Sequence, residues 1–217
     1  MKRIKSYSLW VRLLCCVLLL IAISGCATLK TIEPEERSLK LNKKSLVLLK
    51  VVTRNEIAPL MEPYIFQIVV GSRNSGKTKT LAYNFQLADK GFSNSVHHLI
   101  PFYIEPGEYY IRKIRGMSGD ILVQLVVSDE FWVQPLLSFD VEPNSVIYIG
   151  TLYLTYRDPN KMEGFPVNGG FNNLGSIFFK KGVFDMSITD EPIDILVFKN
   201  EFPVLNKHEI KIDLIKK

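Results

Sequence analysis

Apolar residues fall into three patterns along this chain, and each predicts a different element. Residues 13–23 form one unbroken apolar run, preceded by Lys2, Arg3, Lys5 and Arg12 and followed by small residues. From residue 45 onward the apolar positions come in short runs dense in β-branched and aromatic side chains: SLVLLKVVT at 45–53, YIFQIVV at 64–70 and VIYIGTLYLTY at 146–156. Such runs predict strands, because branched side chains suit a pleated surface. Two further stretches alternate with period two. Leu81, Tyr83, Phe85 and Leu87 share one face of residues 79–87, and Leu137, Phe139 and Val141 do the same after Pro135. The third pattern is helical: Asp190 as cap, Pro192 near the first turn, and Ile193, Leu196 and Val197 as the apolar stripe before Phe198 and Pro203.

Turn residues punctuate the strands at Glu105-Pro106-Gly107, Gly116 to Gly119, Glu142-Pro143-Asn144 and Asn168-Gly169-Gly170, and residues 157–174 read as one long loop. Short strands at fairly regular spacing predict a mainly β chain, an antiparallel sandwich with one short C-terminal helix, rather than repeated βαβ units.

The first pattern is an address. An eleven-residue apolar run after a basic start is too short to span a bilayer, which takes ~18 or more residues. It ends in Ile23-Ser24-Gly25-Cys26, which reads as a lipobox: cleavage before Cys26 and acylation of its thiol. The organisation expected is a signal peptide at 1–25, the lipidated cysteine and a flexible polar tether at 26–44, a sandwich domain at 45–205 and a basic tail at 206–217. Diacylglycerol and an N-acyl chain on Cys26 are the only prosthetic groups expected, so the membrane is a partner through that anchor. Ala27 after the cysteine, where an aspartate would resemble a retention signal, points to the outer membrane, facing the periplasm.

Charge and cysteine use follow from that reading. The chain has 27 basic and 22 acidic residues, but four of the basic ones precede Cys26 and no acid does, which leaves 23 against 22. The sequence pI near 9.0 is therefore largely a property of the leader, and no nucleic-acid partner is implied. Cys15 and Cys16 leave with the leader, so the acylated Cys26 is the sole cysteine of the mature chain and no disulfide or metal thiolate is available.

One motif pulls elsewhere. Gly71-Ser72-Arg73-Asn74-Ser75-Gly76-Lys77-Thr78 matches the G-x-x-x-x-G-K-[ST] phosphate loop, which would assign Gly71, Gly76, Lys77 and Thr78 to a nucleotide. A phosphate loop must open a helix, so that the helix N-terminus faces the phosphate. The residues that follow, TKTLAYNF, alternate and are β-branched, which predicts a strand and makes the motif a hairpin connection. A strand after Thr78 ends the nucleotide reading; a helix there would revive it.

Remaining candidates are sparse. His97 and His98 are adjacent, face opposite ways on a strand and read as exposed or edge histidines, with His208 far off. Asp185, Asp190, Glu191 and Asp194 could bind calcium but lack its loop spacing, and acids at a helix start favour the dipole. No catalytic residue and no metal site is assigned. Of the aromatics, most read as core, with Phe131, Trp132, Phe165 and Phe171 expected at the surface.

Three segments carry a resemblance. Phe102-Tyr103-Ile104-Glu105-Pro106-Gly107-Glu108-Tyr109-Tyr110-Ile111, then Phe139 to Asn144 with Tyr148-Ile149-Gly150, and finally Asp185 to Pro203 are similar to pieces of small bacterial lipoproteins of uncharacterised function. Their exported domain is a prealbumin-like, carboxypeptidase-regulatory-like β-sandwich. The resemblance spans roughly residues 45–205; it implies a prealbumin-like or immunoglobulin-like sandwich and carries over no catalytic residue. The function expected is a non-enzymatic, lipid-anchored envelope module that binds a protein or glycan or serves a structural role. A nucleotide-binding protein and a divergent envelope hydrolase are the alternatives.

Overall fold

A computed structural model describes residues 27–57, 62–82, 89–90, 95–119, 129–158, 165–166 and 183–216. The lipobox residues Ile23, Ser24, Gly25 and Cys26 lie outside them, as do Tyr83, Phe85, Leu87 and Phe171. The described chain forms thirteen strands and one α-helix. They are β1 (Ala27–Thr28), β2 (Ser45–Asn55), β3 (Glu62–Ser72), β4 (Thr78–Ala82), β5 (Asp89–Lys90), β6 (Ser95–Ile104) and β7 (Gly107–Gly119). After these come β8 (Asp129–Val133), β9 (Leu137–Val141), β10 (Val146–Arg157), β11 (Phe165–Pro166), β12 (Val183–Thr189), α1 (Pro192–Glu201) and β13 (Ile210–Ile212).

Two sheets result. The first runs β1-β4-β3-β7, and the free edge of β7 is shared by β8 along Ile114–Ser118 and β9 along Gly107–Ile111. The second runs β11-β12-β10-β2-β6-β5, with β13 beside the start of β10. Val47, Leu49 and Val51 of β2 meet Ile65, Ile68, Ile111, Ile114, Leu137 and Phe139 of the first sheet in one apolar core. A second core lies on the opposite side of the second sheet. There Leu46, Leu48, Val146, Tyr148 and Tyr103 pack under Phe198, Phe202, Val204 and Leu205. The second sheet is thus a middle layer, which is why β2 reads as a continuous apolar run rather than an alternating one.

The expectation of an antiparallel sandwich needs correction at three places. β2 and β10 are parallel neighbours, as are β10 with β13 and β1 with β4. Parallel strands need long crossovers, and here the chain travels through the first sheet between β2 and β10.

The boundaries at 44 and 205 also move. Residues 27–44 do not hang free: Leu29 and Ile32 are buried, the Leu29 amide donates to the Thr80 carbonyl at 2.7 Å, and the Tyr103 amide donates to the Lys30 carbonyl at 2.8 Å. At the other end Ile215 enters the inter-sheet core, and Lys216 and Ser138 exchange two backbone hydrogen bonds of 2.8 Å. The basic tail therefore seals one edge of the sandwich. A handful of apolar residues in polar surroundings was enough to dock both segments, because the edges they cover offered unpaired amides and carbonyls.

Helix α1 forms where its sequence predicts, but with a different cap and face. Glu191 stands at the N-cap without a side-chain capping bond, in place of Asp190, and Pro192 opens the first turn. Ile193, Leu196 and Val197 are exposed at 59%, 56% and 37%, while Asp194 and Phe198 face the sheet. The partners beneath explain the inversion, because the sheet presents a lysine and two hydroxyls at that point.

Candidate functional site

That polar joint is built by a bulge. In β10, Ile147 and Ile149 point into the inter-sheet core, yet so do Leu152, Leu154 and Tyr156, so the alternation changes phase at Gly150. Gly150 has φ +105° and the register with β2 shifts between Tyr148 and Thr151. The shift brings Tyr148 and Thr151, three apart, onto the same face. Both hydroxyls donate to Asp194 Oδ2, Tyr148 at 2.8 Å, and Lys50 Nζ approaches Asp194 Oδ1 at 2.6 Å. Burial pushes the Tyr148 hydroxyl above the usual phenol range, which keeps it a donor. Beside it Tyr153 donates to Glu191, which also accepts from Thr189, and burial together with that carboxylate pushes Tyr153 up to about 12.

Three of the four acids Asp185, Asp190, Glu191 and Asp194 go separate ways. Asp194 takes Lys50, Glu191 takes Tyr153, and Asp185 forms a two-pronged pair with Arg157, one limb at 2.7 Å. Among the described residues no group of three or more His, Cys, Asp or Glu side chains could hold a metal.

The phosphate-loop motif is a hairpin. Thr78 begins β4, and Gly71 pairs with Thr78 across the antiparallel β3–β4 ladder. The Ser72 amide donates to the Lys77 carbonyl at 2.9 Å and the Gly76 amide to the Ser72 carbonyl at 3.1 Å, so both are used within the turn. Gly76 adopts φ +63°, the left-handed conformation a tight turn requires. Arg73, Asn74, Ser75, Gly76 and Lys77 are exposed, and no helix follows to aim its N-terminus at a phosphate.

The hairpin stands beside the start of the fold. β1 pairs with β4 in parallel, Ala27 opposite Lys79 and Thr28 opposite Thr80. The same end of the sandwich holds the β6–β7 turn at Glu105-Pro106-Gly107, the β9–β10 turn, and the turn carrying Lys43 and Lys44, whose Lys43 amide donates to Asn144 Oδ1 at 3.2 Å.

The outer face of the first sheet carries the other notable surface. Trp132 lies between buried Phe131 and Val133, Tyr110 between Tyr109 and Ile111, and Arg115 between Ile114 and Gly116, so all three point away from the core. A bulge in β7, where Val69 faces Lys113 and Val70 faces Ile111, adds Lys113 to that row. Lys113 Nζ sits 4.2 Å from the centre of the Trp132 ring, and the Arg115 guanidinium lies 5.4 Å from that of Phe66 while donating to Gln67 at 3.0 Å. Tyr110 lies over Gly71, where a Cβ would meet its ring at 2.4 Å. Half-buried aromatic rings and cations therefore interleave on one sheet face, while helix α1 lies across the other sheet.

Three buried groups were not legible in the sequence: His98, Phe131 and Asp194. His98 is fully buried rather than edge-exposed, and accepts from the Ile65 amide at 3.4 Å. Burial lowers it to about 3, with the Pro63 carbonyl opposing that and His97 adding to it. Phe131, expected at the surface, is buried against Phe184 at 4.8 Å between ring centres. Asp194 was seen only as a helix-start acid. The change of phase at Gly150 was the available signal, since it places two hydroxyls where a buried carboxylate can be satisfied. Comparison with known proteins finds no matching family model, no matching curated protein and no matching solved structure.

Proposed function

We propose that the mature chain is a lipoprotein of the bacterial envelope, anchored through acylated Cys26, whose sandwich is a non-enzymatic binding module. The aromatic and cationic row on the outer face of the first sheet, Phe66, Tyr110 and Trp132 with Lys113 and Arg115, carries the binding part of this reading. Aromatic residues and arginine are the side chains enriched where proteins meet partners. The anchor part rests on Ile23-Ser24-Gly25-Cys26 and on the apolar run before it. Ala27 directs the lipoprotein to the outer membrane, facing the periplasm. Three acyl chains at ~0.8 kcal/mol per buried CH₂ hold either membrane equally well, so a receptor must do the sorting. Membership of the prealbumin-like lipoprotein group is part of the same proposal.

The polar joint argues for binding over hydrolysis. Asp194, Lys50 and Tyr148 would be the natural acid–base set, but all three are sealed beneath helix α1 and satisfy one another. The experiment uses a convenience of the sequence: Trp10 leaves with the leader, so Trp132 is the only tryptophan of the mature chain. Titration with soluble fragments of envelope glycans and with fractionated envelope proteins is expected to change Trp132 emission saturably, and Arg115→Ala to weaken that response. Emission that stays constant across every envelope fraction would count against a binding role for this face.

A further inference from the structure

The turn of the β3–β4 hairpin, residues 72–77, is the most motif-like segment of the chain, and the proposed binding face does not use it. Its placement supplies a role. β1 runs parallel to β4 with Ala27 opposite Lys79, so the chain comes into the fold at the hairpin end. Cys26 is bonded to Ala27, and consecutive Cα atoms are about 3.8 Å apart. At about 3.3 Å per residue, the turn beyond Thr78 reaches roughly 10 Å past the level of Ala27, at the end of the sheet where β1 starts. A bilayer that held acyl chains on Cys26 would therefore lie close to this end of the sandwich.

The charges at that end fit such a surface. Arg73 and Lys77 are exposed on the hairpin, and Lys43 and Lys44 are exposed on the neighbouring turn. Among the described residues none of these four pairs with a carboxylate. The nearby acids are largely engaged: Glu105 with Lys79, Glu142 with Lys211, and Asp140 with Lys216 at 3.8 Å. Glu108 is a further exposed acid of this end, beside Arg73, whose amide donates to the Glu108 carbonyl at 2.9 Å. Burial lowers the pKa of Lys79, and the nearby Lys44 lowers it further. A set of like charges held together with few counter-charges is relieved by an anionic partner.

We propose that the hairpin end of the sandwich is a bilayer-docking face, on which Arg73, Lys77, Lys43 and Lys44 take the phosphates of acidic phospholipid headgroups. This rests on the acylation of Cys26 proposed above. The phosphate-loop likeness then has a physical basis, because small residues make a tight, exposed turn and leave two cations clear at its tip. Docking would fix the orientation of a domain that has no spacer between anchor and first strand, and so decide which faces look away from the membrane.

The test uses the full chain, processed in a bacterial host and labelled metabolically with palmitate, carrying Asn74→Cys as its sole free thiol. An environment-sensitive fluorophore on that thiol is read in vesicles containing headgroup spin-labelled lipid, made of phosphatidylcholine alone or mixed with phosphatidylglycerol. Ser187→Cys, exposed on β12, serves as the comparison site. The expected result is strong quenching at residue 74, weak quenching at residue 187, and more quenching at 74 when phosphatidylglycerol is present. Added salt and the pair Arg73→Glu with Lys77→Glu should both reduce it to the level of residue 187. The milder pair Arg73→Gln with Lys77→Gln should give a partial loss and serves if charge reversal disturbs the fold. Palmitate label with equal quenching at both sites, or with no dependence on phosphatidylglycerol, overturns the docking face and leaves the lipoprotein reading standing. Absence of palmitate label overturns both.

Discussion

Lys50 Nζ stands 2.6 Å from Asp194 Oδ1, with the lysine side chain 9% exposed and the aspartate fully buried. The pair joins the middle sheet to helix α1 and fixes which way the helix faces. A rotated helix could have covered Ile193, Leu196 and Val197, but only by leaving Lys50 without its carboxylate. A buried charge without its partner loses its water and gains nothing, a cost comparable to what burying a few apolar side chains at ~1.5–3 kcal/mol each would return.

Removing one partner should therefore be costly. Asp194→Ala is expected to destabilise the protein by about 3–5 kcal/mol, since Lys50 and the hydroxyls of Tyr148 and Thr151 lose their acceptor. The double variant Lys50→Met with Asp194→Leu should recover much of that loss. Urea denaturation of the three proteins measures both, and a single variant within 1 kcal/mol of the parent, on the order of an exposed pair, would show the joint to be unimportant.

His98 should make stability fall in acid. Its folded value, about 3, lies below the 6.5 of the free side chain, so the unfolded chain binds a proton across that interval and the folded chain does not. The contribution is fully present above pH 6.5 and is lost as pH falls toward the folded value. At 1.36 kcal/mol per unit, the loss near pH 5 is about 2 kcal/mol. Stability curves for the parent and His98→Leu should differ in slope between those limits, and identical slopes would contradict the assignment.

Two glycines on the first sheet should respond differently to alanine. At Gly116 the new Cβ would meet the Tyr64 carbonyl oxygen at 2.4 Å and the Phe131 ring at 2.3 Å, so backbone and core must both move. At Gly71 it would meet the Tyr110 side chain first, which can swing outward. Gly116→Ala is expected to cost about 1–3 kcal/mol and Gly71→Ala less, as judged by thermal unfolding. Equal losses would mean that Tyr110 is held as firmly as Phe131.

The β character, the β2, β3 and β10 strands, the hairpin at Gly71 to Thr78 and the helix after Pro192 were legible in the sequence because each rests on local pattern. Pairing direction was not: nothing local in SLVLLKVVT distinguishes a parallel from an antiparallel neighbour, although its unbroken apolar run is the mark of a strand covered on both faces. The docking of Leu29, Ile32 and Ile215 was hidden for a related reason, since a lone apolar residue in a polar segment acquires meaning only once an open edge exists to receive it. Asp194 looked like a surface acid because its partners Lys50, Tyr148 and Thr151 lie more than forty residues away in the chain.

The hairpin should be silent toward nucleotides. A ligand held at 100 times its dissociation constant would stabilise the protein by about 2.7 kcal/mol. ATP with magnesium is expected to produce no thermal shift, and Lys77→Ala to leave unfolding unchanged, because Lys77 is exposed and the turn amides of Ser72 and Gly76 are already bonded. A magnesium-dependent shift abolished by Lys77→Ala would reverse that conclusion.

The intact mass of the protein extracted from bacterial envelopes tests the anchor most directly. The expected product is a chain that begins at Cys26 and is heavier than residues 26–217 by a diacylglycerol and one acyl chain, with Cys26→Ser yielding only the uncleaved precursor. A parent protein whose mass still includes residues 1–25, or equals that of the bare polypeptide from residue 26, would contradict it.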